Sequence, residues 1–63
     1  MTRKEIREAK KYVQDGLYDK YGFFPPLSWI EIDEEESTTQ FVDFSVHGHR
    51  YTYDGITMIR HHF

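Results

Sequence analysis

The sequence has no cysteine and no asparagine. The first absence excludes disulfides and thiolate zinc sites. The second leaves no acceptor for N-linked glycans. No apolar run approaches the roughly 20 residues of a membrane span. Met1 to Lys11 is charged throughout and lacks the apolar core of a signal peptide. These absences predict a cytoplasmic protein with no membrane partner.

Motifs of catalysis are also missing. Ser28, Ser37 and Ser45 stand outside any G-x-S-x-G elbow, and no glycine-rich phosphate loop occurs. Glu31 and Asp43 fall on one face of neighbouring strands, but carboxylate pairs on sheets are ordinary. No catalytic residue is assigned, and the expectation is that the chain is not an enzyme.

What is present is aromatic. Five Tyr, five Phe and one Trp in 63 residues argue against disorder and supply large buried area per residue. The length allows a single domain, residues 1–63, with one marginal core. A chain this small needs very good packing, a metal site or association to be stable. The net charge is −3 and unevenly placed. Met1 to Gly22 carries six Lys/Arg against four Asp/Glu, and Phe23 to Phe63 carries two against seven. Segments of opposite charge can complement each other within one chain or between two.

Thr2 and Glu5 form a T-x-x-E capping box. Ile6, Ala9, Val13, Leu17 and Tyr21 then recur at three- and four-residue spacing, the stripe of an amphipathic helix. Gly22 suits a helix C-terminus and Pro25-Pro26 prevent resumption, so the helix is predicted over about 3–21. Gly16 interrupts it beside the apolar stripe, which fits either close approach of another segment or a tolerant site. Phe23 and Phe24 should run extended and close one end of the core.

Four strands are predicted, at about 27–33, 40–47, 50–53 and 56–60, with the acidic stretch Glu34 to Thr39 as a loop. Two-residue turns are expected at Gly48-His49, with the type II′ pattern, and at Asp54-Gly55. Those turns would oppose Val46 to Tyr51, Phe44 to Tyr53 and Tyr53 to Ile56. Both put Val42, Phe44, Val46, Tyr51, Tyr53, Ile56 and Met58 on one face, because opposed residues share a face. The helix should cover it. The predicted class is α+β: one N-terminal helix packed on a three- to four-stranded antiparallel β-meander.

The T-x-x-E start, the Phe23-Phe24-Pro25-Pro26 connector and the Gly48 and Asp54-Gly55 turns together resemble the YopT-like family of small prophage-encoded proteins. That family has no assigned biochemical role. The resemblance implies a homodimer whose subunits have one helix and three strands, the fourth strand being irregular or an extension of the third.

Histidines raise the question of a metal. His47 and His49 flank a glycine, and His61 and His62 are adjacent, but no metal-specific spacing occurs. No metal or other cofactor is expected. The run Asp33 to Glu36 lacks the alternation and glycine of a calcium loop; it could still imitate DNA phosphates toward a basic partner. Arg3, Arg7 and Lys11 mark a candidate basic face for phosphates, against which stands the acidic total charge. Trp29, Phe41 and Ile59 fall on the sheet face that one helix cannot cover, and mark a candidate interface for a dimer or a partner. The leading expectation is a non-enzymatic homodimeric interaction module, such as a phage accessory factor acting on a host protein. The alternative is a small nucleic-acid-binding protein using the basic helix.

Overall fold

The computed structural model describes residues 1–38 and 40–62. Thr39, expected in the acidic loop, lies outside the described residues. The element order is helix α1 (Arg3–Tyr21), a 3₁₀ turn (Leu27–Trp29), and strands β1 (Ile30–Ile32), β2 (Val42–Val46), β3 (His49–Tyr53) and β4 (Met58–His61). The strands form one antiparallel sheet in the order β1-β2-β3-β4. This is the α+β class that the sequence predicts.

α1 begins and ends where local chemistry dictates. The Thr2 hydroxyl accepts from the Glu5 N–H at 3.2 Å, and the Glu5 carboxylate accepts from the Thr2 N–H at 3.2 Å. Two amides that the helix cannot satisfy are thus paired. The Thr2 N–H, and after it the Thr2 side chain, hold the Glu5 carboxyl below its ordinary pKa. Gly22 closes the helix at φ 70°, its N–H donating to the Tyr18 carbonyl at 2.8 Å.

The core lies between α1 and one face of the sheet. Val13 and Leu17 from the helix are buried against Ile30, Val42, Phe44, Val46, Tyr51 and Tyr53. Phe44 and Tyr51 are directly opposed across β2 and β3, and their rings stack at 5.2 Å. Gly16 is buried because the Tyr53 ring occupies the place of its missing side chain. A Cβ there would lie 2.6 Å from the ring. The ring is pinned in turn. It packs on Tyr12 at 4.9 Å, and its hydroxyl donates to the Gly55 carbonyl at 3.1 Å. Burial pushes the Tyr53 phenol up.

Several expected boundaries move. The first strand is shorter than 27–33, because the Trp29 N–H turns back to the Pro26 carbonyl at 3.0 Å and winds Leu27–Trp29 into a 3₁₀ turn. At its far end the Asp33 carboxylate accepts from the amides of Glu35 and Glu36 and folds the chain into a turn. The second strand starts at Val42 rather than residue 40, since the Thr38 hydroxyl takes the amides of Gln40 and Phe41.

The β2–β3 turn is at His47-Gly48, not Gly48-His49. Both residues have positive φ, 50° and 81°, the type I′ requirement, with His47 in the place that asparagine often takes. Val46 therefore opposes His49, and Phe44 opposes Tyr51. Moving a two-residue turn by one position shifts the register by two, so every side chain keeps its face.

The β3–β4 connection is also longer than expected. Asp54 accepts from the amides of Thr57 at 2.6 Å and Ile56 at 2.8 Å, which makes a four-residue loop of 54–57. Tyr53 then opposes Met58 rather than Ile56, and Ile56 is 77% exposed instead of facing the core. β4 is a separate strand paired with β3 at four positions, not the extension of β3 that the family resemblance implies. Phe23 and Phe24 are also exposed; Pro25 fills that end of the core, its carbonyl accepting from the Gln14 side chain at 2.7 Å.

Two outcomes follow. Gly16→Ala gains about 1 kcal/mol of helix propensity but forces the pinned Tyr53 ring to move. The net change should be a destabilisation of about 1–3 kcal/mol, as for overpacked cores, measured by urea unfolding. Stabilisation would show that α1 can lift off the sheet at no cost.

The second outcome concerns acid. Thr57 and Ile56 amides hold the Asp54 carboxyl below its ordinary pKa. The unfolded chain therefore binds this proton more readily than the folded one. The contribution is complete above about pH 4 and is lost as pH falls through the lowered folded value. Asp54→Asn keeps an acceptor oxygen without the proton. Its thermal midpoint should fall less steeply below pH 4 than that of the wild type, and an unchanged acid slope would overturn the assignment.

Candidate functional site

Two surfaces combine charge with shape. The first is the face of the sheet that α1 leaves open. Two rows cross it: Glu31, Ser45, Arg50 and His61 in one, Asp43, Thr52 and Ile59 in the other. Arg50 reaches over the small Ser45 to the Asp33 carboxylate at 3.0 Å. Arg50 is exposed and Asp33 half-buried, and solvent screening leaves the pair at most about 1 kcal/mol. A cavity of about 360 Å³ lies over this region, lined by Asp33, Asp43, Arg50, Thr52 and His61.

Proton accounting shows what the second row can do. The Thr52 hydroxyl bonds to the Asp43 carboxylate and lies 2.7 Å from His61 Nε2. A hydroxyl has one proton, and a carboxylate only accepts, so that proton goes to Asp43. The Thr52 oxygen must then accept from His61 Nε2–H. This is the reverse of nucleophile activation, where an imidazole lone pair faces the hydroxyl.

The second surface is a groove of about 290 Å³ between the first half of α1 and the 3₁₀ turn, where Arg3, Ile6, Arg7 and Lys10 face Leu27 and Ser28. The spacing 3, 7, 10 puts the three cations on one stripe of the helix. Continued, the stripe passes through Gln14 to Tyr18 and Tyr21. The connector runs back along it, with Phe24 edge-on to Tyr18 at 5.8 Å and the Pro25 carbonyl on Gln14. At the end of this stripe lies an exposed aromatic corner, where Phe24 packs on Tyr18; Phe23 and Tyr21, the latter with its ring 6.3 Å from Tyr51, are exposed beside them in the chain.

The residues singled out in the sequence are distributed as follows. Of the basic set, Arg3 and Arg7 line the groove; Lys11 does not, and Lys10 takes its place. Spacing alone could have found Lys10, but Leu27 and Ser28 could not be found while that segment was read as strand. Trp29, Phe41 and Ile59 are all exposed but not gathered into one patch. Trp29 packs on His47, just beyond one end of β2, at 4.4 Å between rings. Phe41 precedes the other end, roughly 20 Å away at about 3.3 Å per residue. His47 and His49 are engaged by different partners, His47 by the Trp29 ring and His49 Nδ1 by Arg60 at 3.0 Å. Among the described residues, no group of three His, Asp or Glu is placed to hold a metal ion. No helix among them is long and apolar enough to cross a membrane.

The chain matches no protein-family model, no curated protein and no solved structure.

The Asp43–Thr52 bond is open to direct measurement. Thr52→Val leaves a half-buried carboxylate without its hydroxyl donor and should cost about 1–2 kcal/mol. A double-mutant cycle with Asp43→Ala should give a coupling of at least about 0.5 kcal/mol. Additive effects would mean that the bond does not form in solution.

Proposed function

We propose that this chain is a non-enzymatic protein-interaction module that works as a homodimer in the cytoplasm. The observation carrying this reading is the aromatic corner. Tyr18, Tyr21, Phe23 and Phe24 come from the helix end and the adjoining connector, and all four are exposed. Contiguous apolar patches mark association sites, and aromatic rings are enriched in them. The resemblance to the YopT-like family supports the dimer, and extends the reading to a phage accessory factor acting on a host protein.

A second reading, a small nucleic-acid-binding protein, is favoured by the stripe on which Arg3, Arg7 and Lys10 lead to exposed tyrosines. Cations followed by rings suit a single strand; the net charge of −3 opposes it.

Sedimentation equilibrium at tens of micromolar tests the homodimer. The expected mass is twice the 7.7 kDa of the chain, returning to 7.7 kDa in Tyr18→Ser/Phe24→Ser. A wild-type mass of 7.7 kDa would overturn the dimer. A dimer that survives this pair but falls to Trp29→Ser/Phe41→Ser/Ile59→Ser would place the interface on the open sheet face.

A further inference from the structure

We infer that the groove between α1 and the 3₁₀ turn docks an acidic peptide segment that inserts one large apolar side chain. The inference rests on reading the chain as an interaction module, and it names the chemistry of a partner.

The floor of the groove is aliphatic, formed by Ile6 of α1 and Leu27 of the 3₁₀ turn. Both are half-buried, so the floor is held by the core yet reachable from solvent. Three cations, Arg3, Arg7 and Lys10, rim it. None of the three makes an ion pair among the described residues, which is equally true of Lys4, Lys11 and Arg60, but only these three gather along one apolar groove. The chain has acidic groups to spare, yet its own fold leaves this row uncompensated. A complementary ligand therefore supplies carboxylates to the rim and an apolar group to the floor.

Dimensions narrow the class. Seven helical residues separate Arg3 from Lys10, a rise of about 10 Å. Carboxylates on successive turns of a peptide helix, or on alternate residues of an extended segment, repeat every 6–7 Å or so and span such a row. Arginine forks grip carboxylates through two parallel hydrogen bonds. A nucleic acid fits less well. Phosphates would satisfy the rim, but an aliphatic floor offers no ring on which a base can stack. The exposed tyrosines of the stripe begin eight residues beyond Lys10, about 12 Å further along the helix.

Fluorescence anisotropy with a labelled peptide of repeating Glu-Leu-Glu-Trp tests this on the full chain. The peptide should bind, and binding should weaken with added salt. Replacing its Leu and Trp by Ser should weaken binding roughly fivefold or more, the loss of an apolar anchor. Arg3→Glu/Arg7→Glu should weaken it more than about tenfold. These changes place acidic residues in the first two turns, where the helix dipole tolerates them, and circular dichroism checks that the helix is retained. No binding by the wild-type protein, or binding indifferent to the charge reversal or to the Ser peptide, overturns the inference. Tighter binding of oligothymidylate, lost in the same variant, overturns it in favour of a nucleic-acid ligand. Sedimentation of the same samples separates the two levels. A dimer that ignores the peptide refutes the groove alone, and a monomer that binds it in the stated way refutes the homodimer while supporting the groove.

Discussion

The contact between Gly16 and the ring of Tyr53 sets how α1 lies on the sheet. A helix residue without a side chain lets the ring enter where a Cβ would stand. Tyr12 and the Gly55 carbonyl hold the ring from the other sides. The β3–β4 loop is tied into the same contact, since a side chain on Gly55 would collide with the Tyr12 hydroxyl. Helix, third strand and last loop therefore share one packing solution. With one helix committed to one face, everything on its outer flank and on the far face of the sheet must find partners locally or remain in water.

The two uncovered regions meet that constraint differently. On the open sheet face Arg50 pairs with Asp33, and the Asp43 carboxylate takes the Thr52 hydroxyl. Such pairs cost little to leave in solvent. The flank of α1 does not compensate itself. Arg3, Arg7 and Lys10 make no ion pair among the described residues, and its rings are exposed at the helix end. Recognition is accordingly expected along the helix flank, where charged residues are also densest in the sequence, rather than on the sheet.

The moved turns show how local backbone chemistry sets the register of a hairpin. Gly48 and Gly55 were sound markers of reversal, and both have positive φ. The pairing they suggested was displaced by two residues in each hairpin, because His47 accepts positive φ and because Asp54 caps two amides at once. A displacement of two preserves the alternation of faces, so the core residues of β2 and β3 were legible although their partners were not. Ile56 was misplaced for the same reason. Its period fitted a strand, but the Asp54 cap holds it in a loop, where no partner can bury it.

The sequence by itself determined the helix and its ends, because capping is decided by residues within one turn of each terminus. It also determined the inner face of β2 and β3, because alternation survives a register shift of two residues. Only the tertiary structure decided which tyrosine fills the gap at Gly16, and that Leu27 and Ser28 turn back along Arg3, Arg7 and Lys10. Both depend on contacts between segments far apart in the chain. No spacing within either segment encodes where the other will lie.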